Sequence, residues 1–148
     1  MAGELEQLVA TLESFRAGVL KKLAGLSEDD ARRSTVGSGT NVAGLIQHLT
    51  FLEYSWFGEV VAGRKARGKR TMQVDPAVSL RTLRADYRAA CEESNAIIAE
   101  IADPDAPVTR NGKAHDLRWV ILAVIGETAR HAGHADIIRE QLDGTTGR

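Results

Sequence analysis

A chain of 148 residues can bury one real core, and 43% hydrophobic with 26% charged residues is the composition of an ordinary globular domain. The formal net charge of −1 argues against a general polyanion binder, so no nucleic-acid partner is expected. No apolar run approaches the roughly 20 residues of a membrane span, and the one cysteine, Cys91, cannot close an internal disulfide. The expectation is a cytoplasmic protein with a single domain over residues 1–148.

The stretch "MAGELEQLVATLESF" opens an amphipathic helix over about residues 4 to 23, with Leu5, Leu8, Leu12, Phe15, Val19 and Leu23 along one face. It has no basic n-region or small-residue cleavage site, so no leader is expected. "GLSEDDARR" reads as a short turn in which Ser27 and Asp30 resemble a capping box.

A second helix follows "STVGSGT", with Thr40 as its expected N-cap, and runs to about Ala62. Its stripe is Val42, Leu45, Ile46, Leu49, Leu52, Trp56 and Val60. Glu53 sits within that stripe, where a carboxylate needs a partner; Arg139 is the expected one, and a Glu snorkelling at the bundle end is the alternative.

"GRKARGKRTMQVDP" is long enough to run the length of a 22-residue helix, roughly 33 Å. That permits parallel second and third helices joined by a crossover. Within it, "GRKARGKRT" nearly spells a phosphate loop. Arg70 holds the hydroxyl position and no strand precedes, so a solvated basic crossover is expected instead.

Asp75 and Pro76 mark the expected start of a third helix, whose seam is Leu80, Leu83, Tyr87, Ala90, Ser94, Ile97 and Ile101. Cys91 on that helix reads as a small core residue. "DPDAPVTRNGKAH" reads as a loop, with His115 in it or in a cap. The fourth helix runs from about Asp116 to Leu142 and stops at Gly144. No strand is expected. The whole is an all-α four-helix bundle, in which Trp56 and Trp119 anchor the packing. Trp119, off the main stripe, is a candidate homodimer surface.

On a wheel of helix four, Leu117, Val120, Val124, Ala135, Ile138 and Leu142 share one face, and Glu127, His131 and His134 fall in or beside it. Glu127 and His131 are i,i+4, so their side chains can converge. A buried carboxylate beside two imidazoles makes a metal the economical explanation. A bundle metal site draws ligands from facing helices, and His48 in "NVAGLIQHLTFLEYSWF" flanks the stripe of helix two. His48 lies fourteen positions before Ala62, while Glu127 and His131 lie eleven and fifteen after Asp116. If the two helices run antiparallel, the three stand at one level. The bland alternative is an internal Glu–His hydrogen-bond network.

The pairing of "GTNVAGLIQHLTFLEYSWF" with "ETARHAGHADIIREQLDG" resembles the DinB-like superfamily of metal-binding four-helix bundles. It is similar to a small actinobacterial subfamily of largely unassigned function, related to the mycothiol-dependent maleylpyruvate isomerase N-terminal domain. The resemblance covers essentially the whole chain and implies an up-down-down-up helix order. It implies a metal held by His48, Glu127 and His131, with Glu127 where many members carry a His. The isomerase branch also uses a His, Glu, His set. His134 stands where others often have Gln, as a neighbour of the ligands or an alternative ligand. The extra C-terminal domain of that isomerase has no counterpart here, so its particular reaction is not implied.

Three protein ligands leave coordination positions open, the pattern of a catalytic site. Zn²⁺ suits two His and a carboxylate best, with Ni²⁺, Mn²⁺ or Fe²⁺ as alternatives. Such an ion lowers the pKa of a bound thiol or activates water. The resemblance favours a mycothiol-type thiol, hence a thiol S-transferase or isomerase acting on a small electrophile. A metal-dependent hydrolase and a non-catalytic, metal- or ligand-binding stress or sensing protein are the alternatives. Arg130, beside His131, is a candidate for supporting the ligands.

Overall fold

The structure is a computed structural model and describes residues 2–146. It is mostly helical. Helix α1 spans Glu4–Leu23, a short α2 spans Glu28–Arg32, α3 spans Val42–Glu53, α4 spans Leu80–Ile101 and α5 spans Leu117–Asp143. Ser27 caps α2 by accepting from the Asp30 amide, and Gly144 ends α5 in the left-handed conformation that its missing Cβ permits.

Several boundaries differ from those expected, each for a local reason. Asn41, not Thr40, caps α3: its side-chain oxygen accepts from the Gly44 amide, while Thr40 is engaged with Ser38. The third long helix starts at Leu80 under a Ser79 cap; Asp75 instead closes a local turn by accepting from the Ala77 amide. The second long helix is not α-helical to Ala62. After Glu53 it widens into a π-helix over Tyr54–Val61, where the Ala62 amide bonds the Phe57 carbonyl five residues back. Within it the adjacent residues Trp56 and Phe57 are both buried, in the same half of the core.

The expected absence of strands is also corrected. Strand β1 (Pro107–Arg110) pairs antiparallel with β2 (Lys113–Asp116), placing Val108 opposite His115. Asn111 and Gly112 both have positive φ, the two-residue hairpin turn that Asn-Gly favours. His115 therefore lies on a strand, stacked on Trp119 with ring centroids 3.5 Å apart. Trp119 in turn meets Trp56 edge-on at 5.6 Å, and Arg110 covers the Trp56 ring at 3.7 Å.

The core has two halves. One gathers Val19 and Leu23 of α1, Val42 to Leu49 of α3, Leu83, Tyr87 and Cys91 of α4, and Ala135 and Ile138 of α5. The other gathers Leu12, Trp56, Phe57, Ile97, Ile98, Val108 and the start of α5 from Leu117 to Val124. Ion pairs tie matching ends of α1 and α5. Arg118 reaches Glu4 at one end, and Lys22 stands 3.3 Å from Asp136 at the other.

Candidate metal centre

The candidate residues come from α3 and α5, whose packed faces bring His48 beside His131. The two rings meet edge to face with centroids 4.9 Å apart. Glu127 lies one turn before His131 on α5, its Oε2 3.5 Å from His131 Nε2 and also 3.5 Å from Arg130 Nη2. His134 is exposed one turn further on, its ring centroid 5.5 Å from that of His131. His48, Glu127 and His134 thus each neighbour His131, which stands between them.

His131 is 6% exposed, and neither ring nitrogen has a hydrogen-bond partner among the described residues. Burial, reinforced by His48 and opposed by Glu127, pushes its pKa down to about 4. At neutral pH the ring is uncharged, with a lone pair free on one nitrogen. His48 is constrained differently. Its Nδ1 lies 2.9 Å from the Arg70 carbonyl, an acceptor, so Nδ1 is the nitrogen that donates and Nε2 is the one left facing away from the strap as a donor atom for a ligand.

The crossover holds His48 in that state. Gln47 donates to the carbonyls of Thr71 (2.9 Å) and Gln73 (3.0 Å), and Asn41 donates to that of Met72 (3.1 Å). The Met72 backbone lies so close to Gly44 that an added Cβ would overlap its carbonyl. Gly68, at φ +85, approaches the Phe51 backbone. The expected solvated loop is therefore a strap fastened along α3, although its charged side chains are exposed. Arg64 and Arg67 both pair with Glu93 of α4.

The unpartnered His131 nitrogens, the Nε2 that His48 does not commit to the strap, and the Glu127 carboxylate form a donor set that suits a divalent cation. As the side chains stand, no group of three or more His, Cys, Asp or Glu among the described residues is drawn together closely enough to hold an ion.

The description Mycothiol-S-transferase belongs to a family model that matches residues 7–144. The chain is a member of this DinB-like family. No curated protein matches it. The family's name denotes thiol transfer, with a small-molecule thiol as substrate. No helix among the described residues is long and apolar enough to cross a membrane.

Glu53 does not meet Arg139. Both Glu53 oxygens are taken by Arg16, through Nε (2.8 Å) and Nη2 (2.7 Å), and Arg16 Nη1 reaches Glu13 (2.6 Å) and Asn95 (2.8 Å). Burial opposes the Arg16 charge, but the Glu53 hydrogen bonds outweigh it and hold the guanidinium pKa above its ordinary value. Arg139 instead pairs with Asp143 and donates to the carbonyls of Lys22 and Ala24. Arg16 was missed by the sequence reading, although it falls on the α1 stripe four residues after Leu12 and three before Val19. Cys91 is buried and its thiol pKa is raised, first by desolvation and then by Glu53, so it stays protonated and unreactive.

Proposed function

We propose that this protein is a metal-dependent S-transferase that joins the thiol of mycothiol to a small electrophile. The observation that carries the reading is His131, whose two ring nitrogens lack partners beside His48 and Glu127. A family match over residues 7–144 supplies the thiol chemistry. His48 through Nε2, Glu127 through its carboxylate and His131 through its free nitrogen would hold the ion, Zn²⁺ first by ligand type. When bound, such an ion supplies Lewis acidity that lowers the pKa of a thiol beside it.

The chain's own residues do the rest. The strap fixes the tautomer of His48, burial keeps His131 neutral, and Arg130 helps hold the Glu127 carboxylate. In the transfer, the thiol proton passes to solvent and a sulfur lone pair forms a C–S bond at the electrophilic carbon. The leaving group departs with its bonding electrons. His134, exposed beside His131, would support the ligands or serve as an alternative one.

The bundle order is part of this reading. Glu4 with Arg118 and Lys22 with Asp136 support α1 and α5 running in one direction. The division of the core supports α3 and α4 running together against them, an up-down-down-up four-helix bundle in one domain. The same donor set would also serve a non-catalytic metal-binding protein.

Elemental analysis of the gently purified protein, followed by assays with mycothiol and a panel of alkyl and aryl halides, separates these readings. The expected result is about one divalent ion per chain, lost in His131→Ala with the helical circular dichroism retained, and thiol consumption lost with it. Metal-free wild type, or transfer that survives His131→Ala, would overturn the enzyme reading. Bound metal without thiol consumption across the panel would establish the binding protein instead.

A further inference from the structure

His134 belongs to two features at once. Its ring stands beside His131, and it also lines a concavity of about 300 Å³ with Val36, Ser38, Thr40, Ile137 and Ile138. Three large hydrophobic residues are exposed among the described residues: Val36 at 41%, Leu122 at 50% and Ile137 at 56%. Two of the three stand on this concavity, one on each wall.

The wall opposite α5 is built rather than loose. In the connection between α2 and α3, the Gly39 amide closes a turn on the Val36 carbonyl (3.2 Å), and Gly39 sits at φ +82, a conformation glycine adopts without strain. Ser34 donates to the Val36 carbonyl (2.8 Å), Ser38 and Thr40 share a hydrogen bond (2.9 Å), and Thr35 reaches Gln141 on α5.

The lining contains no Asp, Glu, Lys or Arg. It offers aliphatic walls, two hydroxyls and one imidazole. A sugar-bearing thiol such as mycothiol presents many hydroxyls, and six residues with three polar side chains would leave most of them unpartnered. A neutral apolar group with one polar substituent matches the lining, and the volume, at the low end for ligand pockets, suits about one substituted ring.

We infer that this concavity seats the apolar body of the electrophile, a neutral substituted aryl ring, and that Val36 and Ile137 set the preference for it. The inference rests on the thiol-transfer reading above. The thiol then approaches from another side of the histidine group.

The test is Ile137→Asp, a change on an exposed helical position outside the core. With a neutral aryl halide, kcat/KM should fall about tenfold, carried mainly by KM. With iodoacetamide, small and hydrophilic, it should stay unchanged, as should metal content. Equal loss on both substrates, or none on either, would overturn the assignment. Amide chemical shifts recorded during titration with nitrobenzene, which does not alkylate thiols, test the seat without catalysis. Shifts should centre on residues 36–40 and 134–138 and vanish in Ile137→Asp; shifts elsewhere, or none, would overturn it. Shifts at the expected residues in a protein that transfers no thiol would support the seat and sink the transferase reading instead.

Discussion

Two of the buried polar groups, one around Arg16 and Glu53 and one around His131, are finished to different degrees. Around Arg16 and Glu53, 2% and 1% exposed, every charged atom has a partner: two nitrogens on two oxygens, and the third on Glu13 and Asn95. Around His131, 6% exposed, both ring nitrogens lack one. The first group completes itself and joins α1, α3 and α4. The second is completed only from outside. Unsatisfied buried polar atoms cost stability, so their presence at this place points to a ligand, and their absence at Glu53 points to architecture.

The largest expected effect breaks the finished group. Arg16→Ala leaves the Glu53 carboxylate buried without its counter-charge, and removing one member of a buried pair costs about 3–5 kcal/mol. Denaturant unfolding should show a loss of that order. Replacing both residues together, Arg16→Met with Glu53→Leu, should recover most of it. If Arg16→Ala costs under about 1 kcal/mol, the pair is not structural in the sense argued.

An intermediate effect is expected where the fold meets the unfinished group. Gly44→Ala drives a Cβ into the Met72 carbonyl. Overpacking against backbone costs about 1–3 kcal/mol, and the strap should lift from α3. His48 then loses the Arg70 carbonyl that sets its tautomer, so divalent-ion affinity should fall while helix content holds. Unchanged affinity would mean that the strap does not organise the site.

The same contrast explains what the sequence disclosed. The four long helices were legible because each carries an apolar stripe at helical spacing, and the two ends of the last, at Asp116 and Gly144, follow local chemistry. The approach of His48 and Glu127 to His131 was foreseeable because these polar residues fall in or beside those stripes at matching depths. Glu53 was noticed for the same reason, but its partner was not. An interrupted stripe shows that a partner is needed, while the choice between Arg16 and Arg139 depends on which helices adjoin. The hairpin escaped notice because four-residue strands are too short for alternation to register, although "NG" in "VTRNGKAH" was the available signal. The π-helix left no periodicity of its own. The 36–40 wall was invisible because it joins residues a hundred positions apart.

The smallest expected effect is the sharpest test of the comparison. His131→Leu replaces a buried ring whose nitrogens have no partners with an apolar side chain. Removing unsatisfied polar atoms is nearly neutral or stabilising, and the shape change costs on the order of 1 kcal/mol in the other direction. In protein stripped of metal by chelator, the net change should therefore lie within about 1 kcal/mol of zero, several-fold less than at Arg16. Chelator should lower the stability of wild type but not of His131→Leu, because an ion that binds only the folded chain stabilises it by mass action. A large loss in the stripped variant would mean that His131 has partners of its own and that this group is architecture too. A wild type indifferent to chelator would remove the reason for its unpartnered lone pair.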